Sequence, residues 1–190
     1  MEFDDVIKLR KSVRSFKNKS ASWKIVMEAI DSACHGPFAD AKNHLKFIIV
    51  ENENTIDKLA ELSQQKWINT ASIAVVVCSD DSILENMHGE RGRVYSRQQS
   101  GAAIVTLMFK LTDLGMGSCW VGSYDDEKIR KLLSIPENIQ IEAIIPVGFE
   151  KEKSKKKTKK DLERALYWEN WGKGKRPSFS ISNPKEIDAI

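Results

Sequence analysis

Ser72-Ile73-Ala74-Val75-Val76-Val77-Cys78 is an unbroken apolar run rich in β-branched residues. A strand with one wet face alternates apolar and polar residues. This run does not alternate, so it predicts a central strand covered on both faces. Working outward, Leu45 to Val50 predicts a second strand, with Phe47-Ile48-Ile49-Val50 as its buried part. Between the two, Ile56, Leu59 and Leu62 follow helical spacing, with Asn54 as the cap and Asp57 three residues on. Ile25, Val26, Ala29, Ile30 and Ala33 form the stripe of a helix that starts after Ser22 and ends at Gly36-Pro37. Phe3, Val6, Ile7 and Arg10 predict a first helix, with Asp4 and Asp5 in its first turn. Downstream, the polar residues 80–93 read as a loop or insert. Val94 to Leu114 predicts one long helix stopped by Gly115 in the left-handed conformation. Gly101, Ala102 and Ala103 leave room on it for another helix. Ser118 to Gly122 is a short strand, Asp125 or Asp126 caps a further helix, and Ile141 to Val147 is a last core strand ended by Gly148.

The 190 residues suit one domain with a sizeable core. A net charge of +3 is too small to imply nucleic acid by itself. The excess is local: Lys151, Lys153, Lys155, Lys156, Lys157, Lys159 and Lys160 crowd together. The longest apolar run is far short of the ~20 residues that span a bilayer. The N-terminus is acidic where a signal peptide would be basic. A soluble cytoplasmic protein is expected. Cys34, Cys78 and Cys119 read as reduced, mostly buried thiols. No His/Cys grouping has zinc-site spacing, so no structural metal is expected. From Glu150 onward, the Lys run is followed by Leu162, Leu166, Tyr167, Trp168 and Trp171. Ser178 to Ser182 alternates like an edge strand. A tail this aromatic needs a surface to cover.

Three stretches carry candidate chemistry. Arg10-Lys11-Ser12-Val13-Arg14-Ser15-Phe16 brings two forked guanidiniums, hydroxyls and turn amides together, a set able to hold a phosphate. The same residues also suit a plain basic helix end, and composition alone favours that version. Ser118-Cys119-Trp120-Val121-Gly122-Ser123 follows Gly115-Met116-Gly117, and its small residues allow a flat ligand to lie against backbone. A buried strand with a glycine exit reads the same way. The Lys run suits a solvated segment, contact with nucleic acid, or one or two cations for a ligand phosphate. Neither dinucleotide nor P-loop glycine spacing is present.

Taken in order, these segments resemble the FMN-dependent nitroreductase family from about Val6 to Gly148. Arg-Lys-Ser-Val-Arg-Ser-Phe at 10–16 is similar to the family's R-R-S-x-R-x-F signature. Ser100-Gly101-Ala102-Ala103 followed by Leu114-Gly115-Met116-Gly117-Ser118-Cys119-Trp120-Val121-Gly122 resembles its G-A-A and L-G-L-G-x-C-W-I-G block. Ile144-Ile145-Pro146-Val147-Gly148-Phe149 resembles its I-I-P-L-G-Y ending. The resemblance implies an α+β fold, a mixed and mainly antiparallel sheet of four or five strands with helices on both faces. It implies FMN, with its phosphate held by Arg10, Ser12, Arg14, the Lys11 backbone, Lys157 and Lys159. Trp120, Val121 and Gly122 would line the ring. Pro37, Asn43 and Gln64 stand where further flavin contacts occur. Phe38, Ala41, Asn43, His44, Leu45 and Gln99 depart from the family pattern, which bears on the substrate pocket.

The implied activity passes electrons from NAD(P)H to a small acceptor such as a nitro compound, a quinone or free flavin. It needs no catalytic acid or nucleophile from the protein. The implied assembly is a homodimer, with 1–149 as the FMN-binding domain and 150–190 as a tail of that domain packing on the partner. Two rivals stand beside this reading. One is a relative acting on the flavin itself; the other is a non-enzymatic module binding acidic partners through the Lys-rich tail.

Overall fold

The computed structural model describes residues 1–151 and 162–176, which belong to two compact units, Met1–Ser154 and Lys155–Ile190. The first unit runs α1 (Phe3–Leu9), α2 (Trp23–Cys34), β1 (Leu45–Val50), α3 (Glu53–Leu62), β2 (Ile73–Asp80), α4 (Ser82–His88), α5 (Glu90–Asp113), β3 (Gly117–Ser118), α6 (Asp126–Leu133) and β4 (Ile139–Gly148). The four strands form one sheet in the order β1-β2-β4-β3, every neighbouring pair antiparallel. A parallel bridge from Ser12 to Ser118 makes the sheet mixed at the β3 edge.

β2 has a strand on each side and a helical layer on each face, which is why its sequence does not alternate. Ile73, Val75 and Val77 pack with Ala143, Ile145 and Val147 against α2 and α5. Ala74, Val76 and Cys78 face the other way, toward α3 and α6. Ile141 joins that second layer although Ala143 belongs to the first. A bulge explains it: Val77 pairs with Ala143 and Cys78 with Ile141, leaving Glu142 as the extra residue. Burial, then the neighbouring charge of Glu142, pushes the Cys78 thiol up to about 11, so that sulfur stays protonated.

Several local expectations are corrected. Residues 80–93 are helical, not a loop: α4 fills 82–88 and α5 starts at Glu90. Their polar residues are the wet faces of helices, and Leu84 alone of α4 is buried. Asn52, not Asn54, caps α3, accepting from the Thr55 N–H at 3.1 Å. Phe47, Ile48 and Ile49 are half-buried because β1 is an edge strand. Cys34 is exposed on the last turn of α2. Of the expected strand 118–122 only Ser118 pairs as a strand, together with Gly117 before it, and Val121 adds a single bridge to Ile144. Gly101 has no atom within contact range of where its Cβ would lie, so no helix of this unit closes on it. Gly115 does take the left-handed conformation, at φ 77°, and Asp125 caps α6.

In the second unit, Leu162–Ala165 is a short helical turn. Tyr167 and Trp171 stack with ring centres 4.8 Å apart, and the Arg176 guanidinium lies 5.6 Å over Trp168. Lys157, Lys159 and Ser178 to Ser182 lie outside the described residues.

A polar cluster joins β2, β4 and α5. The Ser79 hydroxyl donates to Glu142 at 2.5 Å, and Arg97 pairs with both Glu142 and Asp81. Ser96 donates to Asp81 at 2.6 Å and meets His44 Nε2 at 2.9 Å. Burial raises the Glu142 carboxyl, against the Ser79 hydrogen bond and the Arg97 charge, and burial lowers the His44 imidazole. The two act in opposite directions on stability. Glu142's contribution is present at acid pH and lost as pH rises through its raised value. His44's is present above the ordinary imidazole value and lost as pH falls through its lowered one. Arg97→Leu strands the buried Glu142 charge and should cost about 2 kcal/mol near neutrality. The cost should shrink at acid pH, as Glu142 takes up a proton. Urea unfolding at both pH values checks this; equal losses would mean that Glu142 is not the stranded charge.

Candidate functional site

The Arg10–Phe16 stretch leaves α1 and becomes an extended strip laid along the sheet. Val13 N–H donates to Ser118 O at 2.9 Å, Phe16 N–H to Thr70 Oγ1 at 3.3 Å and Lys17 N–H to Phe149 O at 2.8 Å. Lys151 N–H returns a bond to Ser15 O at 3.0 Å. The strip lies so close that two glycines are required beneath it. A Cβ on Gly117 would sit 3.0 Å from the Val13 methyls, and one on Gly148 would sit 2.9 Å from the Phe16 ring. Val13 and Phe16 are buried with Ala71, and the half-buried Trp67 packs beside them.

Burying Val13 and Phe16 leaves the polar residues of the strip for other work. Among the described residues neither the Arg10 nor the Arg14 guanidinium has an ion-pair or hydrogen-bond partner; Arg14 lies 6.0 Å over the Trp67 ring. Lys11 differs: its ammonium pairs with Glu150 at 2.9 Å, so only its backbone is free for a ligand. The Ser118 hydroxyl, beside Ser12 in the bridge, is buried without a partner. A dipole account of the cations fails for Arg14. α1 ends at Leu9, and the dipole's influence fades within the last turn.

The 120–122 stretch and Gln64 come to the same region. Val121 exchanges both backbone hydrogen bonds with Ile144, each 3.0 Å. Asp125 N–H donates to Leu62 O at 3.0 Å, which ties this stretch to the end of α3. Gln64 follows that end, exposed and in the left-handed conformation at φ 53°. The next helical turn, Lys66–Thr70, carries Trp67 toward Arg14 and Thr70 toward Phe16. Trp120 is 39% exposed, and its indole edge lies over Gly122, 3.7 Å from where a Cβ would stand.

Pro37 and Asn43 do not join them. Asn43 accepts from Leu45 N–H at 3.0 Å, and Leu45 pairs with Ser79 at the far end of β2. The strip is anchored at the Ile73 end, next to Thr70 and Ala71. Six residues of strand separate the two ends, about 20 Å. Pro37 lines a cleft on α5 with Gln99 and Ala102. Fifteen residues on, Gly117 meets Val13, so that cleft is also roughly 20 Å away along the helix. Within one chain the expected contacts therefore fall into two groups. Sequence reasoning placed Ser118 in a stretch of small residues but gave its hydroxyl no role, and gave Trp67 none. Neither has a spacing signal; the first is marked only by its missing partner and the second by its contact with Arg14. Among the described residues no three His, Cys, Asp or Glu side chains gather as a metal site would require, and no helix is long and apolar enough to cross a membrane.

A family model described as Nitroreductase family matches residues 61–149. A proposed NADH dehydrogenase/NAD(P)H nitroreductase of Methanothermobacter thermautotrophicus is 29% identical over 176 residues, 90% of this chain and 88% of that protein. The crystal structure of a nitroreductase family protein from Clostridium novyi NT is 27% identical, with a TM-score of 0.73 over 91% of this chain and 96% of that one. An FMN-dependent nitroreductase from Clostridium difficile R20291 shares the fold at 20% identity, with a TM-score of 0.75 over 87% and 98%.

Proposed function

We propose that this chain is an oxidoreductase of the nitroreductase family, which its similarity to that family supports, and that it binds FMN and passes electrons from NAD(P)H to a small acceptor such as a nitro compound, a quinone or free flavin. The observation that carries the cofactor is the strip. Arg10 and Arg14 flank Ser12 and have no anionic partner among the described residues. Two unneutralised guanidiniums on a rigid backbone suit a phosphate monoester, with the Ser12 hydroxyl and Lys11 N–H as neutral donors. The buried, unpartnered Ser118 hydroxyl gives the same surface a further polar contact for a bound molecule. The name of the Methanothermobacter relative supports the NAD(P)H part, and that of the Clostridium difficile structure supports FMN.

When bound, FMN supplies the redox chemistry, which no amino-acid side chain here can provide. The protein's part is to hold, orient and exclude water. Arg10, Ser12 and Arg14 would fix the phosphate end. The backbone at Val121 and Gly122 and the Trp120 ring would lie along the flat ring, with the Gln64 amide at its polar edge. Lys157 and Lys159 would add cations at the phosphate. Pro37 and Asn43 lie too far from the strip to reach the same molecule from one chain. A homodimer resolves this, with each copy's 37–43 loop completing the other's site. Exposed Phe3, Ile7, Trp23, Met27 and Val105 on α1, α2 and α5 offer apolar surface for such contact.

The purified protein should be yellow and should release FMN rather than FAD on denaturation. NAD(P)H should bleach it under anaerobic conditions before any acceptor is added. A colourless protein that FMN cannot reconstitute would overturn the assignment. Sedimentation should give twice the chain mass, and a flavin-loaded monomer would remove the shared-site account.

A further inference from the structure

His44 stands between the 37–43 loop and β1 and is fully buried. Its Nε2 lies 2.9 Å from Ser96 Oγ on α5, and Phe38 of the loop meets its ring edge-on, with centres 6.3 Å apart. The Ser96 hydroxyl decides where the ring carries its proton. Ser96 has one hydrogen to give, and the Asp81 carboxylate at 2.6 Å is the stronger acceptor. Ser96 Oγ therefore accepts from His44, and the neutral ring is protonated on Nε2. That leaves Nδ1 bare, buried and without a hydrogen-bond partner. A second proton has to go there, which puts a positive charge inside the protein.

The surrounding charges do not welcome it. Burial holds the imidazole below its ordinary value; the Asp81 charge and the Ser96 and Lys42 backbones pull the other way, and the Arg97 charge adds to burial. Glu142, the remaining charge of the cluster, is paired with Arg97, and the Lys42 and Lys46 side chains are exposed. Of the segments around His44, the loop is the one able to yield. β1 pairs with β2 along its whole length, and Asp80 N–H donates to His44 O at 3.0 Å. In the loop only Phe38 and Ala39 are half-buried, and residues 40–43 are exposed. Asp40 and Ala41 take left-handed backbone angles, φ 51° and 55°, which residues with a Cβ resist. Their outer clamp is the Asp40–His88 pair at 2.7 Å, close to solvent. Strained backbone with little burial opens at lower free energy than a core strand.

We propose that His44 is a proton-operated latch: neutral, it holds the 37–43 loop against α5 through Phe38 and Ser96; protonated, it lets the loop go, and water reaches Nδ1. In the open state the imidazole regains its ordinary value, so opening takes up a proton. The fraction open should rise up to about tenfold for each pH unit below that ordinary value, and level off below the lowered one. If the loop completes the partner's flavin site, acid should also speed FMN loss. That consequence rests on the FMN reading; the latch itself does not.

Hydrogen exchange of the full-length protein across a pH series, corrected for intrinsic rates and read by mass spectrometry, tests it. Amides 38–43 should lose about tenfold in protection over the first pH unit below the ordinary imidazole value, while those of β2 keep theirs. His44→Gln retains a donor for Ser96 and takes no proton, so it should make loop protection independent of pH. The parent alone gives a second measurement: the His44 ring shifts by NMR should report the Nε2–H form near neutrality and titrate together with loop opening. Loop protection unchanged while His44 titrates, β2 losing protection in step with the loop, or an Nδ1–H ring near neutrality would each overturn the latch. So would a pH dependence that survives in His44→Gln, which would assign it to the Asp40–His88 pair. A protein that takes no FMN but opens its loop on acidification would sink the cofactor assignment and keep the latch; a yellow protein with a pH-independent loop would do the reverse.

Discussion

Arg10→Ala and Arg14→Ala will each weaken FMN binding about ten- to a hundredfold and leave the fold nearly as stable as before. Each removes one charge-assisted contact, worth roughly 1.5–3 kcal/mol where the acceptor is a phosphate. Neither guanidinium has a partner among the described residues whose loss would unsettle the protein. The strip itself is held by the backbone bonds of Val13, Phe16 and Lys17 and by the burial of Val13 and Phe16, none of which these changes touch. Arg14→Ala gives up only a cation–π contact with Trp67, about 0.5–1 kcal/mol at an exposed site. Lys11→Ala is the informative contrast. It breaks the pair with Glu150 and should lower stability slightly with little effect on FMN. The FMN dissociation constant and the thermal midpoint of all three variants check this. Arginine variants that hold FMN as tightly as the parent would show that the strip is not the phosphate site.

The strip was legible in the sequence because its chemistry is local: seven consecutive residues carry both guanidiniums and both buried anchors. β2 was legible for a related reason, since a strand buried on both faces has no freedom to alternate. What could not be read was set by long-range placement. Pro37 and Asn43 read as contacts to the same ligand as Arg10, yet they sit at the other end of the sheet, and no spacing rule reports that. The Arg97 cluster draws on residues 44, 79, 81, 96, 97 and 142, gathered by a bulge at Glu142 that periodicity does not reveal. Gln99 stands out in the sequence only as a departure from a pattern; that its amide oxygen is buried without a partner is visible only once the chain is folded. Residues 80–93 do not announce their helices because α4 is only seven residues long and buries Leu84 alone, leaving Ile83 and Met87 exposed, so no apolar stripe marks it.

Gly92→Ala should be the most damaging single methyl group in the chain. Gly92 lies in the first turn of α5, against the helix before it. A Cβ there would stand 2.2 Å from Leu84 O and 2.6 Å from Glu85 N. Those atoms are backbone of α4, so no side chain can swing aside; α4 and α5 would have to part. Parting them exposes Leu84, the one residue of α4 buried in the core, and disturbs Arg93–Glu85, which links the same two helices. Overpacking of a tight contact costs about 1–3 kcal/mol and sometimes more, and a clash with fixed backbone belongs at the top of that range, roughly 3 kcal/mol. Gly101→Ala is the control with the opposite sign. Its Cβ would meet nothing within the unit, and replacing an interior helical glycine by alanine stabilises by about 0.5–1 kcal/mol. Urea unfolding should therefore move the two variants in opposite directions from the parent. The pair also separates helix propensity from packing, because both changes make α5 a better isolated helix. A Gly92→Ala protein as stable as Gly101→Ala would mean that α4 does not press on α5 at this point.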